Sequence, residues 1–196
     1  YLRHPGFMTG LVILVLTSIV AIAAPVIAPY PPLETDMLKT LAQPSWEHLL
    51  GTDQYGRDVL SRLIWGARIS LEVAAMVVVI SLIFGTLIGA IAGYAGGWTE
   101  RCIMVGNDIL LAFPGFLLAL ALVAARGSSL ESVILAVSIA YIPRVAAVMR
   151  SVVLTIKPRP YIEASQAIGM TAARVLFIHV IPNSLPPVIV VATVSA

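Results

Sequence analysis

From Phe7 to Ile27 the chain runs 21 residues without a charged side chain, and apolar runs of similar kind recur along it. At 1.5 Å per residue, about 20 helical residues cross a hydrocarbon core about 30 Å thick. A run of this length therefore predicts a membrane-spanning helix. Further runs cover about Ile69 to Tyr94, Ile103 to Ala125 and Ser132 to Met149, and a fifth starts near Pro182. The fourth is shorter and contains Pro143 and Arg144, which predicts that part of it faces protein or water rather than lipid. Composition agrees: 11% of residues are charged, against about a quarter in soluble domains. The expected fold is an all-α membrane protein, a polytopic bundle with at least five transmembrane helices. The first run has a rival reading as a cleaved signal peptide, with Arg3 ahead of it and AIAA at its end. Its length exceeds the usual h-region of about 7–15 residues, so it reads as a retained span. The chain starts at Tyr1 and stops inside an apolar run, which reads as a fragment whose helix number is a minimum.

Three regions follow: an N-terminal span (1–28), an external segment (29–68) and a bundle core (69–196) with a cytoplasmic loop at about 150–181. Orientation rests on basic residues in short loops. Arg150, Lys157, Arg159 and Arg174 face one acid, Glu163, between the fourth and fifth runs, and this loop is expected in the cytoplasm. Alternation then puts the Trp98–Arg101 turn and the N-terminus inside, and the Arg126–Glu131 turn and 29–68 outside. The external segment opens irregularly with APYPPLE. Leu60, Leu63, Ile64 and Ala67 then fall at helical spacing, predicting an interfacial amphipathic helix with Trp65 in the interface belt. Gly51, Thr52 and Asp53 carry turn and helix-start chemistry before it.

Gly85, Gly89 and Gly93 lie four apart, with Gly97 one step further. Glycines on one helix face let another backbone approach, and the strict register predicts a packing face against an unspecified partner.

No GxxxxGK[ST], GxGxxG or HExxH is present, and His4, His48 and His179 lack metal-ligand spacing. No Ser/His pair marks a nucleophile. Catalytic and metal-binding residues are not expected, and an intramembrane enzyme is disfavoured. A net charge of +2 without a basic, aromatic-interleaved run excludes nucleic acid as a partner. The single Cys102 cannot close an internal disulfide and reads as an apolar filler. A secondary transporter would need paired repeats, broken helices and midplane ions; neither a repeat nor a deep acid stands out. Asn107, Asp108 and Glu72 lie near span ends and read as interfacial or paired groups. Arg144 could line a cavity or snorkel to the cytoplasm, and snorkelling is the expectation. No substrate site emerges.

One stretch does carry a device, YIEASQAIGMTAARVLFIHVIPN (Tyr161 to Asn183). Pro158 and Pro160 interrupt whatever descends from the fourth run. A short helix can start at Tyr161 and end near Ile168, with Gly169 at the left-handed C′ position. Thr171 can cap a second helix that proceeds until Pro182 opens the fifth run. Ala164, Ser165 and Ala167 keep the first helix slim. Glu163, near its positive end, offers a carboxylate to a partner's arginine. On pattern alone, a surface-lying loop helix and a docking element are equally good readings.

This stretch resembles the EAA loop of ABC importer permeases, with its pattern EAA, three residues, G, nine residues, I, one residue, LP. Here it reads Glu163-Ala164-Ser165, Gly169, His179 in place of isoleucine, and Ile181-Pro182. Ser165 and Ile181 are mild departures. FIHVIPN is similar to the FxHxxPN form of the peptide and nickel branch. HLLGTDQYGRDVLSRLIWGARISL and DILLAFPGFLLALALVA resemble flanking regions of the C-type permease of dipeptide and oligopeptide importers. The family's last C-terminal span has no counterpart in the chain. The resemblance implies an inner-membrane permease without enzymatic activity or cofactor of its own. It implies a second permease, an external substrate-binding protein, and two ATPase subunits that hold ATP and Mg. Tyr161, Glu163, Ala164, Ser165 and Gly169 would form the coupling helix docked on an ATPase, with Glu163 as charge partner and Gly169 as hinge. Dipeptides, longer peptides, glutathione or nickel complexes are the implied cargoes. The segment 29–68 is expected to contact the binding protein.

Overall fold

A computed structural model describes residues 5–194, which are helical apart from their connecting loops. They fall into two compact units, one up to Val73 and one from Ala74 onward. Four helices are long and apolar enough to cross a membrane, and a bent helix pair makes a fifth crossing if counted as one span.

In the first unit α1 (Pro5–Ile27) exposes most of its described apolar side chains, among them Ile13, Leu16, Ile22 and Val26, and buries only Ala21 and Ala24. A water-soluble helix would hide one such face; lipid is the natural complement of this one. The segment after it is held by polar bonds rather than by an apolar core. Thr52 Oγ1 accepts from the Ala42 N–H at 2.8 Å and donates to the Lys39 carbonyl. Asp53 accepts from the N–H groups of Tyr55 and Arg57 and from Arg57 Nε at 2.8 Å, and also pairs with Arg62. Burial pushes the Asp53 carboxyl up, but these bonds outweigh it and bring its pKa down to about 2. Gly56, at φ +71, lies against the Asp36 backbone, where no Cβ would fit.

Helix α2 (Val59–Ala95) contributes to both units. Its start corrects two expectations. Asp58, not Asp53, supplies the helix-start carboxylate, accepting from Ser61 N and Ser61 Oγ at 2.7 Å each. Residues 59–68 are the first turns of the spanning helix, not a separate interfacial one. No proline lies between Val59 and Ala95, and the lone Gly66 costs only about 1 kcal/mol. Side chains there also face differently than the pattern implied. Ser61 is buried, bonded to Asp58 and to the Tyr30 N–H, while Leu63 is exposed. His48 Nδ1 reaches Asp58 Oδ1 at 3.1 Å beneath the Tyr30 ring.

The second unit contains the rest of α2 and five further α-helices before the final one. Helix α3 (Gly97–Ala112) absorbs the expected Trp98–Arg101 turn as its first turn, because Gly96 and Gly97, at φ +71 and +59, complete the reversal earlier. The single span expected over 103–125 is broken. Helix α4 (Gly115–Arg126) leaves α3 at 88°, because Pro114 holds Phe113 in extended geometry (φ −87°, ψ 135°). Helix α5 (Leu130–Ile156) is longer than the fourth apolar run, starts at a Ser129 cap and passes straight through Pro143. Gly85, Gly89 and Gly93 of α2 face Val145, Ala146, Met149 and Val153 of α5. Without side chains between them, the two backbones approach closely enough to bury Ala90, Met149 and Val153 completely.

Candidate functional site

The chain leaves α5 through Lys157-Pro158-Arg159-Pro160. Arg159 is extended (φ −76°, ψ 142°), and Pro160 opens α6 (Pro160–Ala167) at its first position, where a missing N–H costs nothing. At the other end Gly169, at φ +86°, donates to the Gln166 carbonyl at 2.9 Å, and Met170 N–H reaches Ser165 O at 3.2 Å. This pair of bonds is the Schellman arrangement that stops a helix and redirects the chain. Thr171 Oγ1 then accepts from Arg174 N–H and caps α7 (Ala172–Val175). A π-helical stretch (Leu176–Val180) follows and leads without interruption into α8 (Ile181–Val194). The second short helix and the fifth span are therefore one helical run, and Pro182 sits inside it rather than at its start.

Two faces of α6 have different tasks. Ile162, fully buried, joins Ile156, Val175 and Leu176 in the core. Ser165 is also buried, 8% exposed, and its Oγ donates to Tyr161 O at 2.7 Å. It lies on the same inward side as Ile162, three residues on. The outward face carries Tyr161, Glu163, Ala164, Ala167 and Ile168, the last 80% exposed. Glu163 makes no ion pair among the described residues, so its charge stays available.

The helix is also tied sideways. Gln166 Nε2 donates to Tyr94 Oη at 3.1 Å, near the end of α2. Lys157 Nζ donates to Tyr94 O at 2.8 Å, a cation on a helix C-terminus. Arg150 Nε donates to Glu100 Oε1 at 2.6 Å, linking α5 to the first turn of α3. The Tyr161 and His179 rings meet edge to face at 6.4 Å. α6 itself is thus joined to the end of α2 through Gln166, to the run leading to α8 through Tyr161, and to the core through Ile162. Gln166, Ile168, Tyr94 and Lys157 escape a sequence reading, because which residues meet across spans is set by helix rotation and not by local pattern.

Elsewhere, Asn107 is buried and donates to Pro143 O at 3.2 Å, a paired structural group. Asp108 and Glu72 are exposed and make no ion pair among the described residues. The described residues hold no cluster of three or more metal-ligating side chains.

Four helices long and apolar enough to cross a membrane, with a bent pair besides, make this a polytopic helical membrane protein. The chain belongs to the family of binding-protein-dependent transport system inner membrane components, which its residues 85–196 match. Residues 1–44 match the N-terminal transmembrane domain of oligopeptide transport permease C. A dipeptide transport system permease protein of Alkalihalophilus pseudofirmus is 42% identical over 96% of this chain and 62% of its own length. The Escherichia coli protein of that name is 46% identical over 98% of this chain and 66% of its own. A glutathione transport system permease protein of Pectobacterium atrosepticum is 39% identical over 96% and 62%. The chain thus spans about two thirds of the length of these relatives.

Proposed function

We propose that this chain is a permease subunit of an ATP-driven, binding-protein-dependent importer of di- or oligopeptides, with α6 as its coupling helix. The observation that supports it most directly is the outward face of α6. An unpaired Glu163 and an exposed Ile168 stand on a helix whose opposite face is locked into the core. Such a knob transmits force from a partner without deforming. In this reading two cytoplasmic ATPase subunits bind ATP and Mg, and one receives α6. A second permease completes the pathway, and an external binding protein delivers the peptide. The loop 150–181 and the N-terminus are cytoplasmic, and 29–68 is external, the surface proposed to meet the binding protein. Relatives named for dipeptide transport favour peptides, while the glutathione permease keeps that tripeptide as a second reading.

The test uses the whole importer in proteoliposomes. Glu163→Arg should abolish uptake and binding-protein-stimulated ATP hydrolysis while the complex still inserts. Normal transport in that variant, or reaction of a cysteine at 164 with an impermeant reagent from outside the cell, removes the coupling role.

A further inference from the structure

Two observations in the second unit fall within about one helical turn of each other along α5. The first is the break between α3 and α4. Phe113, Pro114 and Gly115 are exposed at the bend, and a Cβ on Gly115 would meet Ala140 Cβ of α5 at 3.8 Å. Ala140 lies ten residues into α5, about 15 Å along its axis, half the thickness of a hydrocarbon core. Non-helical backbone at that level is tolerated where it is buried in protein or lines a water-filled cavity, not against lipid.

The second is Arg144, one turn further along α5. It is exposed and makes no ion pair or hydrogen bond with any described residue. It stands 14 residues from Leu130 and 12 from Ile156, about 21 Å and 18 Å from the helix ends. Snorkelling from there is a long reach, and a guanidinium against lipid at mid-depth is costly. Arg144 is not isolated. Tyr141, Arg144, Ser151 and Thr155 share one face at helical spacing and are exposed or half-buried, while Val148 between them is half-buried and leans on the core. The opposite face (Val145, Ala146, Met149, Val153) is packed on α2. A spanning helix with one apolar packed face and one face bearing a phenol, a guanidinium and two hydroxyls is built to meet water.

We propose that the Tyr141–Thr155 face of α5 lines the substrate pathway, and that Arg144, beside the α3–α4 break, receives the carboxylate of the passing peptide. This rests on the importer reading. Charge complementarity selects the ligand group: a guanidinium donates two parallel N–H bonds to a carboxylate, and every free peptide brings one. Arg144 is then a specificity-determining residue of the permease.

The experiment has two arms, both in the complete importer with Cys102→Ser as background. In the first, single cysteines at 144, 151 and 155 are reacted with a water-soluble thiol reagent, against cysteines at the exposed apolar positions Val79 and Ile83 of α2. The pathway positions should react about tenfold faster or more, as water access and thiolate formation require, and a transported peptide should slow reaction at 151, where Arg144 is still present. In the second arm, uptake of a peptide is compared with that of its C-terminal amide. Arg144→Gln should shrink the acid-to-amide ratio about tenfold, the scale of one charge-assisted hydrogen bond, and Arg144→Lys, which keeps the charge but not the two-point geometry, should restore it only in part. The binding protein contributes equally to every variant, so the change reports the permease. Labelling at 144, 151 and 155 no faster than at 79 and 83, or an unchanged ratio in Arg144→Gln, overturns the proposal while ATP-driven uptake itself persists. Absence of such uptake in the unaltered complex would instead sink the importer reading.

Discussion

Gly89→Ala tests whether the α2–α5 contact is a backbone-to-backbone seam. The added methyl would meet Met149 Cβ at 2.7 Å and the Ala146 carbonyl carbon at 3.0 Å, with the Ala146 oxygen nearer still. These atoms belong to a buried helix and cannot rotate away, so relief requires the two helices to separate. Overpacking of this kind costs about 1–3 kcal/mol, with rigid neighbours at the upper end. Alanine recovers about 1 kcal/mol over glycine in helix propensity. The net expectation is a loss of about 1–2 kcal/mol. Gly106 of α3 is the control, since nothing lies within 4 Å of its would-be Cβ. There only the propensity acts, and Gly106→Ala should gain about 0.5–1 kcal/mol. In a chain this size about 1 kcal/mol corresponds to 2–4 °C. Heating the detergent-purified protein and following its monodisperse size-exclusion peak should thus show Gly89→Ala melting several degrees lower and Gly106→Ala slightly higher. Two variants shifting in the same direction by equal amounts would refute the seam, because propensity alone would then explain both.

The Glu100–Arg150 link should show in a double-mutant cycle with Glu100→Gln and Arg150→Gln. Partial burial of both partners puts the coupling above the about 0.2–1 kcal/mol of exposed pairs, and a coupling indistinguishable from zero would mean the bond does not persist. The segment 29–58 should be sensitive to acid in one direction only. Asp53 is held at about 2 against about 3.9 in an unfolded chain. Its contribution is complete above about pH 4 and disappears as pH falls through 2. Protease resistance of residues 29–58 should therefore be flat from neutral pH to about 5 and drop below 4, whereas loss of resistance on raising the pH would contradict the assignment.

Much of this protein was written in local chemistry. Uncharged runs long enough to cross lipid dictated helices, because backbone polar groups have no other partner there. Pro160, Gly169 and Thr171 placed the start, stop and restart of α6 and α7, since each acts through its own backbone or the next turn. The Gly85-Gly89-Gly93 register announced a close approach, although the partner, α5, became known only in three dimensions. Other decisions were not local. Pro114 breaks its helix at 88° while Pro143 lies inside a continuous one, and the same residue type gives both results. Around Pro143 the packed α2 and the Asn107 bond to its carbonyl hold the helix together; around Pro114 the neighbours are open. Ser165 turns in beside Ile162, a direction that its own side chain does not dictate. Sequence determines which segments become helices because that depends on each segment's own side chains and solvent. Which face of a helix is buried, and which bend survives, depends on what packs beside it, and only the tertiary structure decides that.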